Sequence, residues 1–284
     1  MAQRQTMILI HVFAGFIFFT IIASFVGVFI VLRRMSLMAD VLSHATLPGI
    51  VIGFSIYPQS YIALLCGGII SGLLGTGVTI FLEKNTRLKL DTILGIVLSI
   101  FFGLGLVLYS YLQKFSSLNH GILMRLLVGN PALITQNDCM FIIQVGISIL
   151  IISCLFYKQI KLLLFDRDFA ISTGYNITLY DFLLTFFLVA LLSLGLPLLG
   201  VMLTSSLLVA PAIIGISCCS TVAYAQALSM IVSSISCTIA LLISSRYKQI
   251  PIGPVASIII ITCALLVLVA IFLKKFSIKV RNDY

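Results

Sequence analysis

The chain consists of long apolar segments separated by short polar ones. Nine of these segments approach or exceed the ~20 residues that an α-helix needs to cross a bilayer. The strands of a membrane β-barrel alternate apolar and polar residues, so they rarely give unbroken apolar runs of this length. The pattern therefore predicts an all-α, polytopic bundle of transmembrane helices. The segments are residues 7–32, 40–56, 61–82, 91–112, 138–157, 179–196, 198–217, 221–245 and 253–272.

Two of the segments leave the number of spans open between eight and nine. Segment 40–56 is short and contains Pro48 and Gly49. The stretch around Pro197 is either one broken helix or two spans that meet at a tight turn. Eight spans with a re-entrant piece fit the pattern almost as well as nine. In either case residues 1–284 are predicted to form a single transmembrane domain.

The composition agrees with this pattern and excludes several classes of protein. Apolar residues make up 61% of the chain and charged residues 9%, whereas soluble domains have roughly 45–50% and about 25%. A soluble enzyme, a disordered chain and a nucleic-acid-binding domain are therefore excluded. The sequence also contains no P-loop, no Gly-Lys dipeptide and no H-E-x-x-H or G-x-S-x-G motif. We expect a protein that is not itself an enzyme and has no permanently bound cofactor.

Lys and Arg residues divide unequally between the two sides of the predicted bundle. Twelve lie on the side that includes residues 33–34, 84–89, 158–167 and 274–281, and five lie on the other. Loops rich in Lys and Arg remain in the cytoplasm. With nine spans, the carboxyl terminus is then predicted inside and the amino terminus outside.

The cytoplasmic loop 158–178 is longer than a simple connection requires, and it mixes apolar, acidic and basic residues. The stretch 162–169 predicts a short amphipathic helix at the cytoplasmic surface that ends near Gly174. Two interpretations are open. The helix either rests on the lipid surface or forms a docking surface for a cytoplasmic partner.

Asp40 and His44 are the leading candidates for chemistry within a span. A charge inside a span costs at least ~2.5–3.5 kcal/mol on insertion scales. Four residues apart on a helix, these two side chains share a face. A carboxylate and an imidazole suit a divalent transition metal such as manganese, zinc or iron, although other groups must complete the shell. Alternatively, Asp40 caps its helix and His44 hydrogen-bonds to it.

Other polar residues in the apolar segments have simpler interpretations. Asp181 lies near a predicted helix start. Thr204, Ser205 and Ser206 are expected to bond back to their own helix backbone and need no further role. Pro211 is expected to kink its span, because it cannot donate to the carbonyl four residues before it.

Four blocks of sequence together resemble the zinc/manganese/iron permease subunits of bacterial ABC importers. The first is MSLMADVLSHATLPG at 35–49, and the second is DTILGIVLSIFF at 91–102. The third, LLFDRDFA at 163–170, resembles the segment that docks on the ATPase subunit. The fourth combines GVML at 200–203 with LVAPA at 208–212. The order and spacing of these blocks extend over most of the chain.

The resemblance implies a homodimeric permease in the inner (cytoplasmic) membrane of a bacterium. Two cytoplasmic ATP-binding subunits would hydrolyse ATP, and an extracytoplasmic solute-binding protein would deliver the metal. No nucleic acid is expected as a partner. The resemblance assigns metal coordination to Asp40 and His44. It assigns coupling to the ATPase to Phe165, Asp166, Arg167, Asp168, Phe169 and Ala170.

One position departs from the family pattern. Where the family often has an acidic residue two positions before the proline of a Pro-x-Gly turn, this chain has Gln249 before Pro251. An acidic contribution to ion capture at the outer mouth is therefore not expected. The alternative to an ABC permease is an ATP-independent secondary metal/proton transporter or channel with Asp40 and His44 as the relay. Such a transporter commonly shows an inverted repeat, and none is visible in this sequence.

Overall fold

The computed structural model describes residues 2–58, 60–115 and 136–246. Within these ranges the chain forms eleven α-helices and no strand, which confirms the predicted all-α class. The helices are α1 (Ala2–Leu32), α2 (Ser36–Ala45), α3 (Leu47–Ile56), α4 (Tyr61–Asn85), α5 (Leu90–Phe115), α6 (Gln136–Leu155), α7 (Tyr157–Phe165), α8 (Arg167–Ser172), α9 (Ile177–Leu199), α10 (Val201–Cys218) and α11 (Val222–Arg246).

Eight spans in the described part of the chain are long and apolar enough to cross a membrane, with α2 and α3 counted as one span. The predicted segment 253–272 and Gln249 lie outside the described residues. About three quarters of the α9 span is buried inside the chain (78%), against 22% of the α5 span. Helix α9 therefore lies at the centre of the bundle and α5 at its edge.

The second span begins at Ser36, four residues before the predicted start, and it is interrupted at Thr46. Pro48 explains the interruption, since its nitrogen carries no hydrogen and cannot donate to the His44 carbonyl four residues earlier. The amide of Thr46 still donates to the Leu42 carbonyl at 3.0 Å, so α2 and α3 remain one interrupted span rather than two.

The turn between α1 and α2, residues 33–35, is here called the α1–α2 elbow. The Arg34 amide donates to the Val31 carbonyl at 2.9 Å, and the Met35 amide donates to the Ile30 carbonyl at 3.0 Å. This pair of bonds is a Schellman motif, which needs a left-handed residue at the helix end. Arg34 takes that conformation, with φ of 60°.

The stretch around Pro197 forms two helices, which answers the question left open by the sequence. Pro197 lies inside α9, and the break falls at Gly200 with φ of 81°. A glycine adopts this backbone conformation without a steric penalty from a side chain. Helix α9 begins at Ile177 because the Asn176 side chain caps it, accepting a hydrogen bond from the Leu179 amide at 3.3 Å.

Helices pack closely where glycines meet. A Cβ atom at Gly49 would collide with the carbonyl oxygen of Gly67, and one at Gly67 would collide with that of Gly49. Helices α3 and α4 therefore approach backbone to backbone, as small residues allow in membranes. Between α1 and α11 the contact is polar instead. The Ser24 and Ser233 hydroxyls lie 3.0 Å apart, and the side-chain Nε2 of Gln226 donates to the Phe25 carbonyl at 3.3 Å.

Candidate metal site and coupling segment

Asp40 is the fifth residue of α2 and does not cap it. The N-cap position is Met35, which makes no side-chain capping bond, and α2 has already completed a turn before Asp40. The capping interpretation of Asp40 assumed a helix that begins there, so it is wrong. The Asp40 side chain is exposed on the surface of the single chain.

His44 follows one turn later and is half-buried. Its ring meets Phe102 of α5 edge-to-face, with centroids 5.0 Å apart. In the described part of the chain, its Nδ1 atom is shielded from solvent and has no hydrogen-bond partner. A neutral imidazole nitrogen of this kind is a good ligand for a transition metal. The structure thus places Asp40 and His44, here called the metal pair, on the same side of α2.

Ser205 of α10 is a third member of this site that sequence reasoning missed. Its hydroxyl donates to Asp40 Oδ1 at 3.1 Å and also lies 3.2 Å from the Met202 carbonyl. The expectation that Ser205 serves only its own helix is therefore incomplete. The two residues are 165 positions apart, so only the tertiary fold brings them together. The hydrogen bond from Ser205 orients Oδ1 of the Asp40 carboxylate. The other oxygen, Oδ2, remains available to bind a cation.

The metal pair does not make a complete metal shell within one chain. In residues 2–58, 60–115 and 136–246, no group of three His, Cys, Asp or Glu residues is close enough to hold a metal. The surface beside Asp40 is also uncovered, since Leu37 and Met202 are 50% and 79% exposed. The candidate site therefore opens onto a face where the described residues supply no third ligand of these types.

The predicted amphipathic helix in the cytoplasmic loop is two helices, α7 and α8, that meet at Asp166. The Asp166 carboxylate accepts a hydrogen bond from the Phe169 amide at 2.9 Å and so caps α8. The single predicted helix over 162–169 was wrong in this respect, because a residue that caps the second helix interrupts the first. The prediction that the helical stretch ends near Gly174 is confirmed. Helix α8 closes with a Schellman motif at Gly174, where φ is 82°.

Residues 165–170, here called the coupling segment, expose most of their side chains. Phe165 is 66% exposed and Phe169 52%, while Ala170 is buried. The residues that hold this region on the bundle include Ile160 and Leu163, which are buried. The two exposed aromatic rings lie on either side of the break at Asp166, Phe165 at the end of α7 and Phe169 in α8, and aromatic residues are enriched at protein interfaces.

Asp181 is the fifth residue of α9 and contacts two arginines. Its Oδ1 atom lies 2.6 Å from the Arg33 guanidinium in the α1–α2 elbow. Its Oδ2 atom accepts a hydrogen bond at 2.9 Å from Arg167, the first residue of α8. Sequence analysis noted Asp181 only as lying near a helix start. The one available signal was the prediction that Arg33 and Arg167 lie on the same side of the membrane, and this contact agrees with that prediction.

The chain was next compared with known proteins. The model of the ABC 3 transport family matches residues 5–274. The chain belongs to this family. The zinc transport system membrane protein TroC of Treponema pallidum is 35% identical over 256 residues, which are 90% of this chain and 86% of that protein. The manganese transport system membrane protein MntC of Bacillus subtilis is 32% identical over 203 residues, 71% of this chain and 47% of that protein.

A solved structure shares the fold. In the structure of PsaBC from Streptococcus pneumoniae in complex with Fab, one chain superposes with a TM-score of 0.81 and 27% identity. The match covers 90% of this chain and 89% of that one. These findings confirm the family resemblance, and they identify the chain as a multi-pass membrane permease of the ABC type in a bacterial inner membrane. An ATP-independent transporter or channel does not agree with this family.

Proposed function

We propose that this permease imports a divalent transition metal and that Asp40 and His44 bind the ion during its passage. The observation that carries the proposal is the metal pair, in which the exposed carboxylate of Asp40 lies one turn before the half-buried His44, whose shielded Nδ1 atom has no hydrogen-bond partner among the described residues. The names of the relatives support zinc or manganese as cargo. Iron is compatible with the same ligand types. The metal is substrate, so no cofactor is needed.

A second copy of the chain would complete the site. The described part of one chain offers two side-chain ligands here and leaves the adjoining face open. Most soluble oligomers are symmetric, with two-fold dimers the commonest, and the resemblance implies a homodimer here. Two metal pairs related by a two-fold axis would supply two carboxylates and two imidazoles. Four such ligands complete the usual tetrahedral shell of zinc. In the octahedral shell of manganese they leave two positions that water can fill.

The driving energy would come from a cytoplasmic ATP-binding subunit, present in two copies. This chain has no nucleotide-binding motif of its own. Phe165 and Phe169 offer an exposed aromatic surface of the kind that anchors protein interfaces. The buried residues around them attach the coupling segment to the bundle, so a partner that moves this segment would bias a two-state bundle between outward and inward access. An extracytoplasmic solute-binding protein would deliver the ion.

The test is transport by the whole assembly in liposomes. The permease, its ATP-binding subunit and its solute-binding protein are reconstituted together, and uptake of Zn²⁺ and Mn²⁺ is measured with and without ATP. We expect ATP-dependent uptake of at least one of these ions. Asp40→Asn keeps the shape of the side chain and should abolish uptake, while Asp91→Asn, a matched change at the first turn of α5, should not. Equal uptake with and without ATP would refute the proposal.

A further inference from the structure

Three charged residues at the cytoplasmic end of the bundle form an ion triad, defined as Arg33, Asp181 and Arg167. Each oxygen of the Asp181 carboxylate has its own arginine, at 2.6 Å and 2.9 Å. The side chains of Arg33 and Asp181 are mostly buried, at 18% and 24% exposed, whereas Arg167 is 58% exposed. The pair nearer the interior is less screened by water and salt than an ordinary surface pair.

The three residues belong to three elements that otherwise have different tasks. Arg167 is the first residue of α8 and lies within the coupling segment. Arg33 is in the α1–α2 elbow, immediately before the helix that carries the metal pair. Asp181 is on α9, one of the two most buried spans. One carboxylate therefore connects the helix proposed to meet the ATPase with the start of the helix proposed to meet the metal.

We infer that Asp181 is a positioning residue that transmits movement of α8 to the α1–α2 elbow, and through it to Asp40 and His44. The inference rests on the proposed function, because it assigns a route between the two surfaces proposed above. The elbow is suited to such a role. A Schellman motif with two backbone hydrogen bonds fixes its geometry, so a pull on Arg33 shifts the start of α2 rather than unwinding α1.

The loop is also held in place by contacts other than the triad. Three aromatic contacts pack the same region on the bundle, with ring centroids 5.8 Å apart for Phe29 and Tyr157, 5.9 Å for Phe156 and Tyr180, and 6.1 Å for Tyr175 and Tyr180. These contacts involve no charge, so we expect them to survive the loss of Asp181. A variant without the carboxylate is therefore expected to fold and to bind the ATP-binding subunit, which separates coupling from assembly.

The experiment uses the reconstituted assembly and reads the number of Mn²⁺ or Zn²⁺ ions transported per ATP hydrolysed. For Asp181→Asn we expect ATP hydrolysis to remain near the wild-type rate while this ratio falls about fivefold or more, the size of a typical coupling between sites. Asp91→Asn is the matched control and should keep the wild-type ratio. A wild-type ratio in Asp181→Asn would overturn the inference, and so would loss of the ATP-binding subunit.

A charge exchange gives a second test within the same assembly. Asp181→Arg alone places three arginines together. It should lower the number of metal ions transported per ATP hydrolysed at least as far as Asp181→Asn does. Adding Arg167→Asp restores one carboxylate and two guanidinium groups, so the ratio should recover in part. If the double variant transports no better than Asp181→Arg, the ionic route through the triad is wrong.

A spectroscopic measurement does not depend on metal transport at all. A spin label at Leu37, which is exposed in the single chain and lies on the α2 face that the second copy would adjoin, should change its spectrum when ATP binds to the wild-type assembly. The change should be absent in Asp181→Asn and present in Asp91→Asn. A label that responds equally in all three proteins would overturn the inference. Failure of the proposed function is distinct from this result, because it appears in the wild type as ATP hydrolysis without uptake of either ion.

Discussion

Asp40 and Asp181 hold the same position in their helices, since each is the fifth residue, yet their surroundings differ sharply. Asp181 contacts two arginines of its own chain, one on each oxygen. Among the described residues, the Asp40 carboxylate accepts one hydrogen bond, from the neutral hydroxyl of Ser205. A carboxylate in an apolar environment is costly unless a positive partner balances it. The first carboxylate is balanced within the chain, and we propose that a cation from outside the chain balances the second.

The difference between the metal pair and the ion triad separates two uses of charge in one membrane protein. Charges that are paired within the chain fix elements relative to one another. Charges that the chain leaves open, on an exposed face and beside an unpartnered imidazole nitrogen, are suited to a ligand that arrives and departs. The same comparison gives predictions, because each partner can be removed separately.

The largest effect is expected for His44→Ala. The substitution removes one proposed ligand from each chain, and uptake of Zn²⁺ or Mn²⁺ should fall by more than about 100-fold, beyond the loss seen when only a supporting residue is removed. Binding of the ATP-binding subunit should not change. Phe102→Leu is the control, since it removes the ring contact with His44 while keeping apolar volume. Similar losses in both variants would mean that His44 acts only by packing.

A somewhat smaller effect is expected at the coupling segment. Phe165→Ala combined with Phe169→Ala removes the two exposed rings, and affinity for the ATP-binding subunit should fall about 30-fold, as for a central aromatic anchor. Titration of the solubilised permease with that subunit measures the change. Phe182→Ala, which removes an exposed ring from α9, should bind normally. Unchanged affinity of the double variant would favour a helix that rests on lipid.

Much of the architecture could be predicted from the sequence, because long apolar segments have few ways to satisfy their backbone in a bilayer. The helical class, the approximate positions of the eight described spans and the end of α8 at Gly174 all follow from local signals. The break at Asp166 and the start of α2 at Ser36 did not, since a capping residue and a short polar helix start are weak signals beside strong apolar runs. Local errors of this kind moved element boundaries but left the order of the described helices intact.

The site was only half visible in the sequence. Asp40 and His44 stand out because they share a helix face and are polar within a span. Ser205 and Asp181 were assigned minor roles, since their partners lie 165 positions away for Ser205 and, for Asp181, in the α1–α2 elbow and at the start of α8. The pattern of residues within a single helix cannot predict such contacts. They arise from the packing of α10 on α2 and of α9 beside the elbow.

Ser205→Ala tests how strongly the metal pair depends on this support from α10. Loss of the hydroxyl frees Asp40 Oδ1 to rotate, so the apparent KM for the metal should rise about tenfold, the lower range for residues that orient a metal ligand. Ser206→Ala is a close control, because the Ser206 hydroxyl donates to the Leu203 carbonyl at 3.0 Å rather than to Asp40. An equal change in KM in the two variants would exclude a specific role for the bond to Asp40.

The smallest effect concerns the backbone of the two Schellman motifs, which differ in the residue at the left-handed position. Gly174 suits that conformation, whereas Arg34 pays a steric penalty for it. The left-handed penalty of roughly 1–2 kcal/mol for a residue with a side chain is partly offset by the larger entropy that glycine loses on folding. Arg34→Gly should therefore raise the free energy of unfolding by about 0.5–1 kcal/mol, while Gly174→Ala should lower it by a similar amount. Space does not limit the second change, since a Cβ at Gly174 meets nothing within 4 Å.

Thermal unfolding of both variants in detergent measures these changes, and transport provides the comparison with the ion triad. Arg33, not Arg34, contacts Asp181, so Arg34→Gly should leave the number of ions moved per ATP unchanged while stabilising the elbow. If Arg34→Gly lowers that ratio, the elbow needs either the charge or the strained backbone of Arg34. In that case, charges paired within the chain would not be the only groups that fix the helices relative to one another at this end of the bundle.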